Sequence, residues 1–167
     1  MECVKKASND WVVLLDSDNT IDNSYIDALP TDKVDNCFYL PVFAKTPSNA
    51  FDFTRHSGRT FYNDGFIELI NAPRHRGSDR EFTNTGNYFF NKNTYLEAID
   101  RESDLQNPHA SDCTYMLWLC FKNLENFSIY VVPNLTYIHD HSSKDSWYRQ
   151  KSKPSQKFFK WMKDNIK

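Results

Sequence analysis

No stretch of this chain stays apolar for long. The longest uninterrupted run, Tyr115 to Phe121, falls far short of the roughly 20 residues that a membrane-spanning helix needs, so no transmembrane segment is expected. Charge of neither sign dominates: the formal net charge is -2, without the basic excess of a nucleic-acid-binding domain. Cysteine is sparse as well. Cys3, Cys37, Cys113 and Cys120 lack the paired spacing of a zinc site and the density of a disulfide scaffold, and read as reduced thiols. Only four glycines occur, with no Gly/Ser tract and no internal repeat, so nothing marks a linker. Residues 1–167 read as a single domain, long enough to bury one core. With no recognisable signal peptide the chain is read as soluble and cytoplasmic. In that setting the sequons Asn126-Phe-Ser and Asn134-Leu-Thr carry no glycan.

What is present alternates between strand-like and helix-like segments, which predicts an α/β fold with a mixed sheet flanked by helices. Trp11 to Leu15 (WVVLL) is a short apolar run rich in β-branched residues, the pattern of a central strand buried on both faces. Asp22, Asn23 and Ser24 supply caps for a short helix ending before Pro30. Cys37 to Ala44 reads as a second strand, Gly65 to Ala72 as a helix, and Pro73 to Phe82 as a polar loop. Tyr88 to Phe90 is extended and Asn93 to Ile99 helical. Asn107-Pro108 opens the helix that carries Tyr115, Leu117, Trp118 and Phe121. Phe127 to Val132 and Leu135 to His139 read as two strands separated by Pro133 and Asn134. A basic helix is expected over about 155–166; eight Lys/Arg against two Asp follow Ser143. Its apolar face either packs on the domain or makes peripheral contact with an anionic membrane surface.

The chemistry concentrates at Asp16-Ser17-Asp18-Asn19. Sixteen aspartates in the chain make a D-x-D pair common by chance, so its placement matters more than its spacing. It follows the apolar run directly, and the carboxyl ends of strands in an open α/β sheet face the ligand crevice. Two carboxylates held together there repel unless a cation compensates them, and Mg²⁺ or Mn²⁺ would also bridge them to a diphosphate. The same residues also read as a polar turn capping the next helix. A strand followed by D-x-D-x-T further resembles the haloacid dehalogenase family, in which Asp16 would be a phosphorylated nucleophile and Asp18 its acid/base partner. The later acidic pair of that family has no counterpart here.

The longer resemblance is to the C-terminal portion of the family-two glycosyltransferases, which have the GT-A fold. Four pieces carry it in order: Ala7 to Asp22 (ASNDWVVLLDSDNTID), Asn84 to Tyr95 (NTGNYFFNKNTY), Asp112 at the start of the helix from Cys113, and Val131 to Ser143 (VVPNLTYIHDHSS). This resemblance implies a metal-dependent, inverting transfer of sugar from a nucleotide-sugar donor to a glycan or other hydroxyl acceptor. Asp16, Asp18 and Asn19 would hold the donor diphosphate through Mn²⁺ or Mg²⁺, with Asp18 and His139 or His141 ligating the ion. Asn84, Gly86 and Asn87 would contact sugar and acceptor. Asp112 would be the general base, although the usual Glu-Asp pair is Ser111-Asp112 in this chain. Arg74 and Arg76 would close on phosphate. Only 15 residues precede Asp16, so the implied fold is a truncated GT-A domain lacking most of its nucleoside-binding units. That truncation predicts weak or absent activity of the chain alone, and an uncovered sheet edge prone to homo-oligomer formation. A non-catalytic carbohydrate-binding module is the remaining alternative.

Overall fold

Two long segments with almost no polar side chains facing the interior set the architecture. Cys37–Lys45 is buried at seven of its nine positions, counted from the burial pattern BBBBBBiBe, and it pairs in parallel with Ser128–His139 along nearly its whole length. A strand buried on both faces needs neighbours on both edges and cover above and below. The computed structural model describes residues 2–16, 19–45, 50–73, 79–83, 86–102 and 113–139, and it supplies both.

In chain order the elements are α1 (Glu2–Lys6), β1 (Trp11–Val13), β2 (Asn19–Thr20), α2 (Asn23–Asp27), β3 (Cys37–Lys45), β4 (Ala50–Asp52), a 3-10 turn (Thr54–His56) and β5 (Thr60–Phe61). There follow α3 (Asn63–Asn71), α4 (Asp79–Phe82), β6 (Phe89–Asn91), α5 (Lys92–Asp100), α6 (Cys113–Asn123) and β7 (Ser128–His139). The strands form one seven-stranded mixed sheet in the order β1-β6-β3-β7-β2. β4 adds to β3 beyond β6, and β5 adds to the outer edge of β7. The protein is therefore mixed α/β. Among the described residues no helix is long and apolar enough to cross a membrane.

The main core lies on the face where Phe38, Leu40, Phe90, Ile129 and Val131 point. Phe38 stacks on Phe90 at 4.4 Å and meets Phe127 edge-on at 5.2 Å. Against this face pack α3 through Phe66 and Ile70, α5 through Tyr95 and Ile99, and α6, whose residues 114–120 are all buried. A helix apolar all round belongs in an interior. The opposite face gathers Cys37, Tyr39, Phe89, Val132, Tyr137 and the Tyr25 of α2 into a smaller cluster.

Three sequence expectations need correction, and three short strands went unforeseen. β1 is an edge strand, and all three of its residues are only half-buried, although their apolar character suits a central position. The polar stretch read as a loop over 73–82 contains a turn of helix at Asp79–Phe82, because Phe82 is fully buried against Phe53 and anchors it. Pro133 and Asn134 do not end a strand. Between the pairs Pro41↔Val132 and Phe43↔Thr136 β3 advances two residues and β7 four, so they form a bulge in one continuous β7, with Asn134 at φ +64. The short strands β2, β4 and β5 carry too few residues for any periodicity to announce them.

One charged cluster ties the 3-10 turn to α4. Asp79 Oδ1 accepts from Arg55 Nε at 2.9 Å, from Arg55 Nη2 at 2.6 Å and from His56 Nε2 at 2.7 Å. Arg59 Nη1 lies 3.1 Å from His56 Nδ1, so the imidazole fits as the Nε2–H tautomer, donating to Asp79 and accepting from Arg59. Partial burial raises the Asp79 pKa, but the His56 and Arg55 donors outweigh it and hold the carboxyl below its ordinary value. A depressed folded-state pKa stabilises above the unfolded value of about 3.9 and is lost as pH falls through the folded value. Asp79→Asn is therefore expected to lower the urea midpoint at pH 7. Its difference from wild type should shrink below about pH 4. A difference that stays constant from pH 7 to pH 2.5 would show that the Asp79 charge contributes nothing.

Candidate functional site

Asp16 reaches its position through the register of β1. Trp11, Val12 and Val13 pair antiparallel with Asn91, Phe90 and Phe89, and Leu14 N then donates to the Tyr88 carbonyl at 2.8 Å. The same register carried onward sets Asp16 opposite Gly86. Their contact is close: a Cβ built on Gly86 would lie 2.7 Å from Asp16 Oδ2. Gly86 and Asn87 are also both left-handed, at φ +68 and +55, and they turn the chain into Tyr88 and β6. Glycine meets both demands at 86, and asparagine is among the few other residues that tolerate such a φ.

Asn19 brings in a third segment. Its N–H donates to the Asp16 carbonyl at 3.0 Å, closing a turn, and in the β2–β7 ladder it stands opposite His139. Its side-chain Nδ2 donates to Asn87 Oδ1 at 3.1 Å inside the protein. Asn87 is wholly buried and Asn19 is 8% exposed. Tyr25, from α2, donates its hydroxyl to the Asn87 carbonyl at 2.8 Å. Asn19 Oδ1 and Asn87 Nδ2 are shielded from water; Asn19 Oδ1 has no hydrogen-bond partner among the described residues, and the Asn87 amide has at most a weak bond to the Tyr137 hydroxyl.

Tyr137 and His139 share a face of β7, being two residues apart. Burial pushes the Tyr137 hydroxyl pKa well up; the Asp16 charge raises it further, while the Asn87 side chain opposes both. Tyr137 therefore remains protonated beside Asp16. Both ring nitrogens of His139 are shielded from solvent, and its ring lies 6.1 Å from those of Phe51 and Tyr137.

Of the residues singled out from the sequence, Asp16, Asn19, Gly86, Asn87 and His139 thus belong to one neighbourhood, linked by Asn19 and Tyr137. Asp18, Arg74, Arg76, Asn84, Asp112 and His141 lie outside the described residues, as does the segment 155–166. Among the described residues no group of three or more His, Cys, Asp or Glu gathers to hold a metal ion. Asp16 and His139 supply a carboxylate and an imidazole, and the buried Asn19 Oδ1 is an amide oxygen suited to a hard cation. That donor set fits Mn²⁺ or Mg²⁺ in kind, and further ligands would have to complete it. Two members escaped the sequence reading. Tyr137 was marked only by its two-residue spacing from His139, and Tyr25 by nothing in the sequence.

Comparison with protein-family models, curated proteins and solved structures finds no match to this chain.

The contact between Gly86 and Asp16 is open to a paired test. Gly58 is also left-handed, at φ +73, but a Cβ there meets nothing closer than Pro133 Cγ at 3.9 Å. Gly58→Ala is expected to lose about 1–2 kcal/mol of stability, the penalty for a left-handed alanine. Gly86→Ala should lose more, since it must also displace the Asp16 carboxylate. Equal losses in urea unfolding would show that Asp16 swings aside freely.

Proposed function

We propose that this chain is the metal-, diphosphate- and acceptor-binding part of a GT-A-type glycosyltransferase that uses a nucleotide-sugar donor. The observation that carries this reading is the convergence of Asp16, Gly86-Asn87 and His139. These come from the three separate segments whose sequence resembles the donor, sugar and late-histidine segments of that family. Asn19 connects all three, through its bonds to Asp16 and Asn87 and its place opposite His139.

In this reading Asp16, Asn19 and His139 hold the divalent ion together with Asp18 and His141. A bound Mn²⁺ or Mg²⁺ supplies Lewis-acid stabilisation of the charge that grows on the departing nucleoside diphosphate. Gly86 leaves room for the Asp16 carboxylate beside the sugar, and Asn84 hydrogen-bonds the sugar hydroxyls. Asp112 takes the proton from the acceptor hydroxyl as that oxygen bonds to the anomeric carbon. The anomeric carbon–diphosphate bond breaks with its electron pair leaving on the diphosphate, which inverts the centre. General-base assistance of this kind contributes about 10² to 10⁴-fold. Tyr137, kept protonated, offers a hydroxyl beside Asp16 and limits repulsion there.

The test is a calorimetric titration of Mn²⁺ and then of a nucleoside diphosphate. Wild type should bind the diphosphate only when Mn²⁺ is present. Asp16→Ala and His139→Ala should each weaken Mn²⁺ by about tenfold or more, the loss of one ligand or its support. Diphosphate binding that survives chelation, or Mn²⁺ binding unchanged in both variants, contradicts the assignment. Carbohydrate binding that persists without metal would instead favour a non-catalytic sugar-binding module.

A further inference from the structure

The Asn19–Asn87 bond joins two segments that also meet where the Asp16 carboxylate rests against Gly86. One is the turn from Asp16 to Asn19; the other is the left-handed pair Gly86-Asn87. Two asparagines buried at 8% and 0% exposure are unusual, since a buried amide must recover by hydrogen bonding what it loses in hydration. Part of that capacity is left over between them. Among the described residues Asn19 Oδ1 finds no hydrogen-bond partner, and the Asn87 side chain also reaches the Tyr137 hydroxyl, so the pair faces the neighbourhood of Asp16 rather than closing on itself. Asn87 is further fixed from behind by the Tyr25 hydroxyl on its carbonyl. The pair sits between the Asp16 carboxylate, which rests against Gly86, and His139, which stands opposite Asn19.

We infer that the Asn19–Asn87 amide pair is a positioning clasp that sets the Asp16 turn at the spacing from His139 that a divalent cation requires. Asn87 is the positioning residue: it lies one residue from the carboxylate's contact at Gly86 and acts on the cation through Asn19. The inference rests on reading the Asp16 turn as a cation handle, and it adds that the handle's affinity is determined by a side chain that need not touch the ion. Supporting groups around metal ligands commonly have this effect.

Asn87→Gly is the informative variant, because glycine keeps the left-handed backbone while deleting the amide. It is expected to weaken Mn²⁺ by about 10 to 100-fold in a titration well below Tm. Asn19→Ala should weaken it at least as much, and the double variant should be no weaker than Asn19→Ala alone, since the clasp can be opened only once. Thr94→Val is the control for general destabilisation: it removes the hydroxyl that donates to the Asp35 carbonyl at 2.8 Å, lowers Tm and should leave the Mn²⁺ affinity unchanged. If wild type binds Mn²⁺ and Asn87→Gly binds it equally well, the clasp is overturned while the cation handle stands. Additive losses in the double variant would also overturn it. Failure of wild type to bind Mn²⁺ at all would remove the handle and the clasp together.

Discussion

The parallel ladder between Cys37–Lys45 and Ser128–His139 is the constraint from which the rest of this structure follows. It aligns β3 and β7 over almost their full length, and its one irregularity lies between Pro41 and Phe43. Before that point Leu40 faces the main core and Tyr39 the smaller cluster. After it the alternation is reversed: Phe43 packs on the main core and Ala44 on the smaller one. In β7 the extra residues are Pro133 and Asn134, so the bulge delivers Tyr137 to the smaller cluster, with His139 two residues farther along the same face. A shift of one residue would exchange the faces, and His139 would no longer stand opposite Asn19 as it does now.

Around the end of that ladder several polar groups are buried together. Two asparagine side chains, two tyrosine hydroxyls and a carboxylate share a region bounded by Phe51, Ile21 and Leu135. Interiors tolerate such groups when they are hydrogen-bonded, and here part of the capacity is left over. Two consecutive left-handed residues, Gly86 and Asn87, turn the chain at the same place, and only Asn87 carries a side chain there.

Much of the fold was legible because its signals are strong. The Cys37 strand, the Asp22-capped helix, the helix before Ala72 and the Tyr115 helix all follow from periodicity or from local capping chemistry. Asp22, for instance, accepts from Tyr25 N as a cap should. What stayed hidden depends on tertiary context. WVVLL reads as a central strand, but only topology decides that it stands at the edge. Pro133-Asn134 has the composition of a strand break, yet β3 pairs with β7 both before and after it and the strand resumes beyond the bulge. Of the site, Asp16, Asn19, Gly86, Asn87 and His139 were visible as chemistry at strand ends. Their mutual arrangement through an amide pair, and the company of Tyr25 and Tyr137, came from packing across 60 and more residues of sequence.

The central claim is that a divalent cation binds where the Asp16 turn, Gly86-Asn87 and His139 meet. Paramagnetic broadening of backbone amide resonances by trace Mn²⁺ locates such an ion without reference to activity. The account predicts that the amides of Asp16, Asn19, Gly86, Asn87 and His139 broaden first and together, and that those of the Arg55–Asp79 cluster persist. Broadening that begins at Asp79 or at scattered surface carboxylates, with the Asp16 turn unaffected, would contradict it.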